Sequence, residues 1–254
     1  MLCAVFLTAS HPAPPTSETL AVAGRTVELI DLDAGRADPL LKRVRADIGP
    51  AILAVEKFWG TDWQRDIVIV ATGSRQQFIQ EAHLDPGGQW ADIAAVSVAD
   101  EVDPAGGRAT GQRIVLAPGA AAMSETALRI VLAHELFHLA ARARTALDAP
   151  RWLTEGVADY VARPLTPVLP GAAAAAAIPD DAELDGPARS AGYDRAWWFA
   201  RFLADDYGLD GLRRLYQRAA GPGHGDFAVA VGEALGVDMA ELQARWAHWL
   251  AQHS

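Results

Sequence analysis

Cysteine is all but missing from this chain: among 254 residues the one thiol belongs to Cys3. That excludes an intrachain disulfide framework and any zinc site built from cysteine pairs. Surplus positive charge is missing as well. The 22 Lys and Arg are outnumbered by 32 Asp and Glu, giving a formal net charge of −10 and a pI near 5.1. Without a basic cluster, this balance argues against a nucleic-acid partner. No stretch reaches the eighteen or so uninterrupted apolar residues of a membrane-crossing helix, and the Ala-rich run 172–177 is too short. No integral membrane span is expected.

Apolar residues make up 51% of the chain, ample for a core in one large domain or two tightly joined halves. Residues 1–19 stand apart. Met1 to Ala9 is apolar and Ser10 to Ser17 is polar and proline-rich, like the end of a signal peptide that lacks its charged start. Secretion or residence in the cell envelope is therefore the expectation, with the cytoplasm as the alternative.

Beyond residue 20, hydrophobic periodicity predicts a strand at Arg25–Leu32 and a helix at Leu40–Trp59, with Leu41, Val44, Ile48, Ile52, Val55 and Trp59 on one side. It also predicts a buried strand at Asp66–Ala71 and a short helix at Ser74–Ala82. Two further strands follow, Ile93–Val98 and Arg113–Leu116, divided by the turn-rich Asp103-Pro104-Ala105-Gly106-Gly107. These elements form a sheet with helices on one side. Pro164–Gly192 is expected to be a long irregular connection that rims a cleft. Helices resume from Asp194, break at Gly221–Gly225, and continue over Asp226–Leu235 and Met239–Ala251, where Trp246 and Trp249 are core anchors.

The most informative segment is His134-Glu135-Leu136-Phe137-His138, set between Ser124 and Leu147 where neither Gly nor Pro interrupts the helical pattern. Chance placement would produce about 0.01 such matches in a chain of this composition. Two histidines four apart project from one face of a helix, so both imidazoles reach one zinc ion while Glu135 points at a water. An otherwise apolar helix has little reason to carry three polar side chains unless they are paired. Ser124 is the predicted N-cap.

A third ligand is sought downstream. The metzincin continuation needs a glycine at position 141 and a histidine at position 144, where the chain has Ala141 and Arg144. A second helix starting near Pro150, with Asp148 as its cap, instead carries Glu155 and Asp159 on one side. Glu155 is the expected third zinc ligand. Asp159 is placed to accept the spare ring N–H of a zinc-binding histidine.

His134–His138 followed by Trp152-Leu153-Thr154-Glu155-Gly156-Val157-Ala158-Asp159-Tyr160 resembles the gluzincin metallopeptidases, above all the peptidase MA-like group related to M1 aminopeptidases and thermolysin. The spacing between second histidine and third ligand is slightly shorter than in the M1 pattern. Gly192-Tyr193-Asp194-Arg195-Ala196, with Asp206-Tyr207-Gly208 further on, is loosely similar to a helix in these peptidases whose tyrosine stabilises the oxyanion.

The resemblance implies an α+β, zincin-like fold: an N-terminal mixed β-sheet with helices (20–119), then an active-site helix and a C-terminal helical half (120–254), together one catalytic domain. It implies Zn2+ on His134, His138 and Glu155, with Glu135 as general base and Tyr193 as the oxyanion partner. The substrate is then a peptide or protein, lying extended on the sheet edge at Ile93–Val98 or Arg113–Leu116. Endopeptidase and aminopeptidase action both remain open, as does a zinc-binding module of this fold without peptidase activity.

Overall fold

Short runs of Val, Ile and Leu at alternating positions build the first half of the molecule. The computed structural model describes residues 14–88, 90, 92–168 and 176–253, so the expected export signal at 1–13 lies outside them. Among these residues, seven strands and two helices make up this half: β1 (Thr16–Val22), β2 (Arg25–Asp31), α1 (Asp38–Trp59), β3 (Asp66–Ala71), α2 (Arg75–Glu81), β4 (Ala95–Val98), β5 (Glu101–Asp103), β6 (Arg108–Thr110) and β7 (Arg113–Leu116). Five of them form a mixed sheet in the order β1-β2-β3-β7-β4. β2, β3 and β7 run parallel, while β1 and β4 are antiparallel at the two edges.

Several sequence expectations shift here. Thr16–Val22 is a strand, so the sheet begins inside the segment set apart as 1–19. Its first four residues, Thr16 to Thr19, are polar and exposed, as befits an edge strand, and that mutes the alternation on which strand recognition depends. The turn-rich 103–107 segment connects a separate two-stranded hairpin, β5–β6. Arg113–Leu116 lies inside the sheet between β3 and β4, which leaves β4 as the edge.

Helices also cover both faces rather than one. Ile114 and Leu116 join Ile67, Ile69 and the apolar side of α1 in the main core, whereas Val115 turns the other way, onto Phe78 and Ala82 beside α2. The period of two along a strand delivers alternate residues to two separate cores.

The second half is helical. α3 (Glu125–Ala141) is capped by Ser124, whose hydroxyl accepts the Ala127 N–H at 3.2 Å, as its sequence predicts. α4 (Arg151–Ala162) follows after a short 3-10 turn. Its first turn is satisfied from a distance: Asp181, not Asp148, accepts the Trp152 N–H at 2.8 Å. Asp181 opens a 3-10 turn, Asp181–Leu184, within the connection expected to be irregular, and Leu184 is buried.

α5 (Arg189–Ala220) begins four residues before Tyr193 and bends at Gly208, whose φ of 74° breaks the helical path. α6 (Phe227–Leu235) and α7 (Met239–His253) close the core, with Trp246 and Trp249 buried against Phe202. No described helix is long and apolar enough to cross a membrane.

One glycine sets the spacing in this half. Gly156 follows Glu155 on α4, and a Cβ there would run into the backbone carbonyl of Ala196 on α5. The two helices approach so closely that only hydrogen fits. Gly156→Ala is expected to cost about 1–3 kcal/mol through overpacking against an unyielding backbone atom. Thermal melting should show a drop of several degrees, whereas Gly119→Ala, where a Cβ meets nothing within 4 Å, should leave the midpoint nearly unchanged.

Candidate metal centre

α3 is buried on most sides, by Leu128, Leu132, Ala133, Leu136, Phe137 and Leu139 among others. His134, Glu135 and His138 occupy the remaining face, at the floor of a cleft of about 740 Å³. α4 lies beside α3 and contributes Glu155 and Asp159 to the same cleft. The His134 and His138 Nε2 atoms face one another at 3.1 Å. Glu155 turns one carboxylate oxygen toward each ring, at 3.2 Å from His134 and 3.5 Å from His138. All three donors fall within 4.8 Å of one another, the one such group among the described residues.

These separations fit a small divalent cation. Tetrahedral zinc with bonds of about 2.0–2.1 Å sets its donors about 3.3–3.4 Å apart. The donor set, two imidazoles and one carboxylate, is one that zinc accepts, with a fourth position left open. Asp159 completes it from behind: Oδ1 accepts the His134 Nδ1–H at 2.9 Å, which fixes the tautomer and turns the Nε2 lone pair inward. Asp159 is in turn held by Arg163 at 2.9 Å.

The local field points the same way. Burial opposes a charged His134, yet hydrogen bonds to Asp159 and Glu155 outweigh it and raise its pKa well above the ordinary value. Burial likewise opposes ionised Glu155, but His138 and His134 hold its carboxyl well below the usual range. The cluster is built to stabilise positive charge at its centre.

Glu135 sits in a different environment. Burial pushes its carboxyl up, tempered by the two histidines and by a hydrogen bond in which the Ser97 N–H donates to Oε2 at 2.7 Å. Ser97 belongs to β4. The Ala117 N–H donates to the Ala94 carbonyl at 2.8 Å, so by antiparallel alternation residues 94, 96 and 98 face β7. Ala95 and Ser97 therefore turn their N–H and C=O groups to the open edge, along the cleft.

Tyr193 lines the same cleft from α5. Burial and the neighbouring Glu155 charge raise its pKa, so the phenol keeps its proton and remains a donor. All the residues singled out by sequence, His134, Glu135, His138, Glu155, Asp159 and Tyr193, thus meet in one place. Two others went unnoticed. Ser97 carries no signal that its amide would reach Glu135. Arg142 does carry one: it lies four residues after His138, on the same helical face as both histidines.

No protein-family model and no curated protein matches this chain. Among solved structures, it is similar to a mutant of a two-domain M1 zinc metallopeptidase bound to L-arginine. The fold is shared. The TM-score is 0.50 at 15% identity, and the match covers 94% of this chain and 52% of that one, so the chain spans about half that structure's length. The common architecture is an α+β one, with an N-terminal sheet and a helical C-terminal half.

Asp159→Ala should weaken zinc binding about 10–100-fold by freeing the His134 ring. Competition with a chromophoric chelator measures this directly. Unchanged affinity would remove Asp159 from the site.

Proposed function

We propose that the protein is a zinc-dependent metallopeptidase of the gluzincin type. The observation that carries this reading is the meeting of two imidazoles and a carboxylate at 3.1–3.5 Å beside a half-buried glutamate that stands outside the donor set. His134, His138 and Glu155 would hold the metal, and Asp159 orients His134. When bound, zinc supplies Lewis acidity, polarising a carbonyl and lowering the pKa of water toward ~7.

The chain's own residues do the rest. The Ser97 N–H holds Oε2 of Glu135 and leaves Oε1 free to take a proton from the attacking water. Glu135 then delivers that proton to the departing amine nitrogen. The raised pKa of its carboxyl suits both transfers. The Tyr193 phenol donates a hydrogen bond to the oxygen of the attacked carbonyl as negative charge grows there. An extended peptide lies along β4, where Ala95 offers an outward N–H and C=O for main-chain pairing. Export, the expectation from the first residues, agrees with a peptidase but rests on sequence alone.

An unbiased peptide library incubated with the zinc-loaded protein tests the reaction, and cleavage should cease on chelation. Glu135→Gln should retain zinc and lose about 10²–10⁴-fold in kcat/KM. A Gln variant as fast as the parent would refute the base assignment. Tyr193→Phe should lower kcat about 10²–10³-fold with little change in KM. Zinc-loaded protein that left every peptide intact would overturn the hydrolytic reading.

A further inference from the structure

Three arginines line the cleft, and two have carboxylate partners. Arg163 pairs with Asp159 at 2.9 Å and Asp194 at 2.7 Å, and Arg151 pairs with Asp185 at 3.2 Å. Arg142 differs. Among the described residues no carboxylate lies within ion-pair distance of it. Its Nη2 donates to the Ser97 carbonyl at 2.6 Å and to the Ser97 hydroxyl at 3.3 Å. Its Nε is buried without a hydrogen-bond partner, and its Nη1 makes no hydrogen bond to the described residues. A guanidinium carries five N–H donors in a planar fork. Most of this one is unspent, and burial disfavours its charge. Desolvating an unpaired cation is costly, so a partner that arrives from outside would be strongly held.

The position of Arg142 says where that partner lies. Glu135 takes the outward N–H of Ser97 and Arg142 takes the outward C=O of the same residue. The base and the cation therefore bracket a single residue of β4. A group on Arg142 stands next to the bond that Glu135 serves.

We infer that Arg142 is a specificity-determining residue that binds a carboxylate on a substrate residue flanking the scissile peptide bond. This rests on the peptidase reading above. The carboxylate has two sources: the free C-terminus of a short peptide, or the side chain of Asp or Glu within a longer one. Nη1, which makes no hydrogen bond to the described residues, can donate to either.

The test uses zinc-loaded protein and blocked Ala/Leu hexapeptides carrying Asp or Glu, their Asn or Gln counterparts, and unblocked peptides with a C-terminal acid or amide. Both cleavage and binding, the latter by calorimetry, are measured. The parent should favour one acid series over its neutral partner by about 30-fold or more in kcat/KM, the size expected for a desolvated charge pair. Which series is favoured identifies the source. Arg142→Met should erase the preference, lowering kcat/KM for the favoured acidic peptides about 30-fold more than for their neutral partners, and Arg142→Lys should restore part of it.

Cleavage without any acid preference in the parent would overturn the inference and leave the peptidase reading standing. So would an Arg142→Met variant that slows acidic and neutral peptides alike. Arg142-dependent binding of acidic peptides without cleavage would do the reverse, sparing the carboxylate site and sinking the peptidase reading.

Discussion

Where α4 lies decides what this molecule can do. Its flank toward α3 brings Glu155 within 3.5 Å of both imidazoles, and its flank toward α5 closes onto Ala196 through the missing side chain of Gly156. Helix axes normally stand 8–10 Å apart, set by the side chains between them. A larger residue at 156 would push α4 off α5 and shift the Glu155 carboxylate relative to two rings fixed on a different helix. The Asp159–His134 hydrogen bond ties the same pair of helices from the other side of the metal position. One helix thus supplies the third donor, orients the first, and is held by contacts that tolerate little movement.

The electrostatics of the cleft follow from that geometry. Glu155 and Asp159 stand on one helix and His134 and His138 on another, so the carboxylates face a shared centre rather than solvent. Each group alone would be costly to bury. Together they raise the proton affinity of His134 and keep Glu155 ionised, which is the field a small cation needs. Glu135, one residue from His134, escapes this arrangement because it points toward β4 and is held by a backbone amide. Neighbours in sequence thereby acquire different chemistry, one an inward-facing donor and the other a carboxylate whose proton affinity is raised by burial.

The edge strand is the less obvious half of the site. β4 contributes no side-chain ligand, yet its outward amide and carbonyl at Ser97 meet Glu135 and Arg142. Arg142 in turn follows His138 by one helical turn. The sheet edge is therefore joined to α3 and the residue that follows it by three hydrogen bonds through Ser97, and those bonds set the distance between the edge and Glu135. The cleft thus presents the open edge at Ala95 on one side and the unspent donors of Arg142 on the other.

Local patterns in the chain were enough to reveal much of this. Histidines at a spacing of four in an apolar helical run, Ser124 ahead of it, and Glu155 and Asp159 at the same spacing downstream are consequences of helix geometry, which depends only on near neighbours. β3 and β7 were legible to the residue because buried strands are short, apolar and bounded by turns. β1 was not, since a polar edge strand owes its existence to pairing with β2 rather than to its own alternation. Nor was the Asp181 cap on α4, which reaches across 29 residues. That β4 rather than β7 forms the edge, that α2 covers the far face, and that Arg142 makes no ion pair among the described residues are facts of strand order and helix placement. Composition and periodicity determine which side chains share a face. Only long-range packing decides which faces meet, because that choice is made by contacts between residues far apart along the chain.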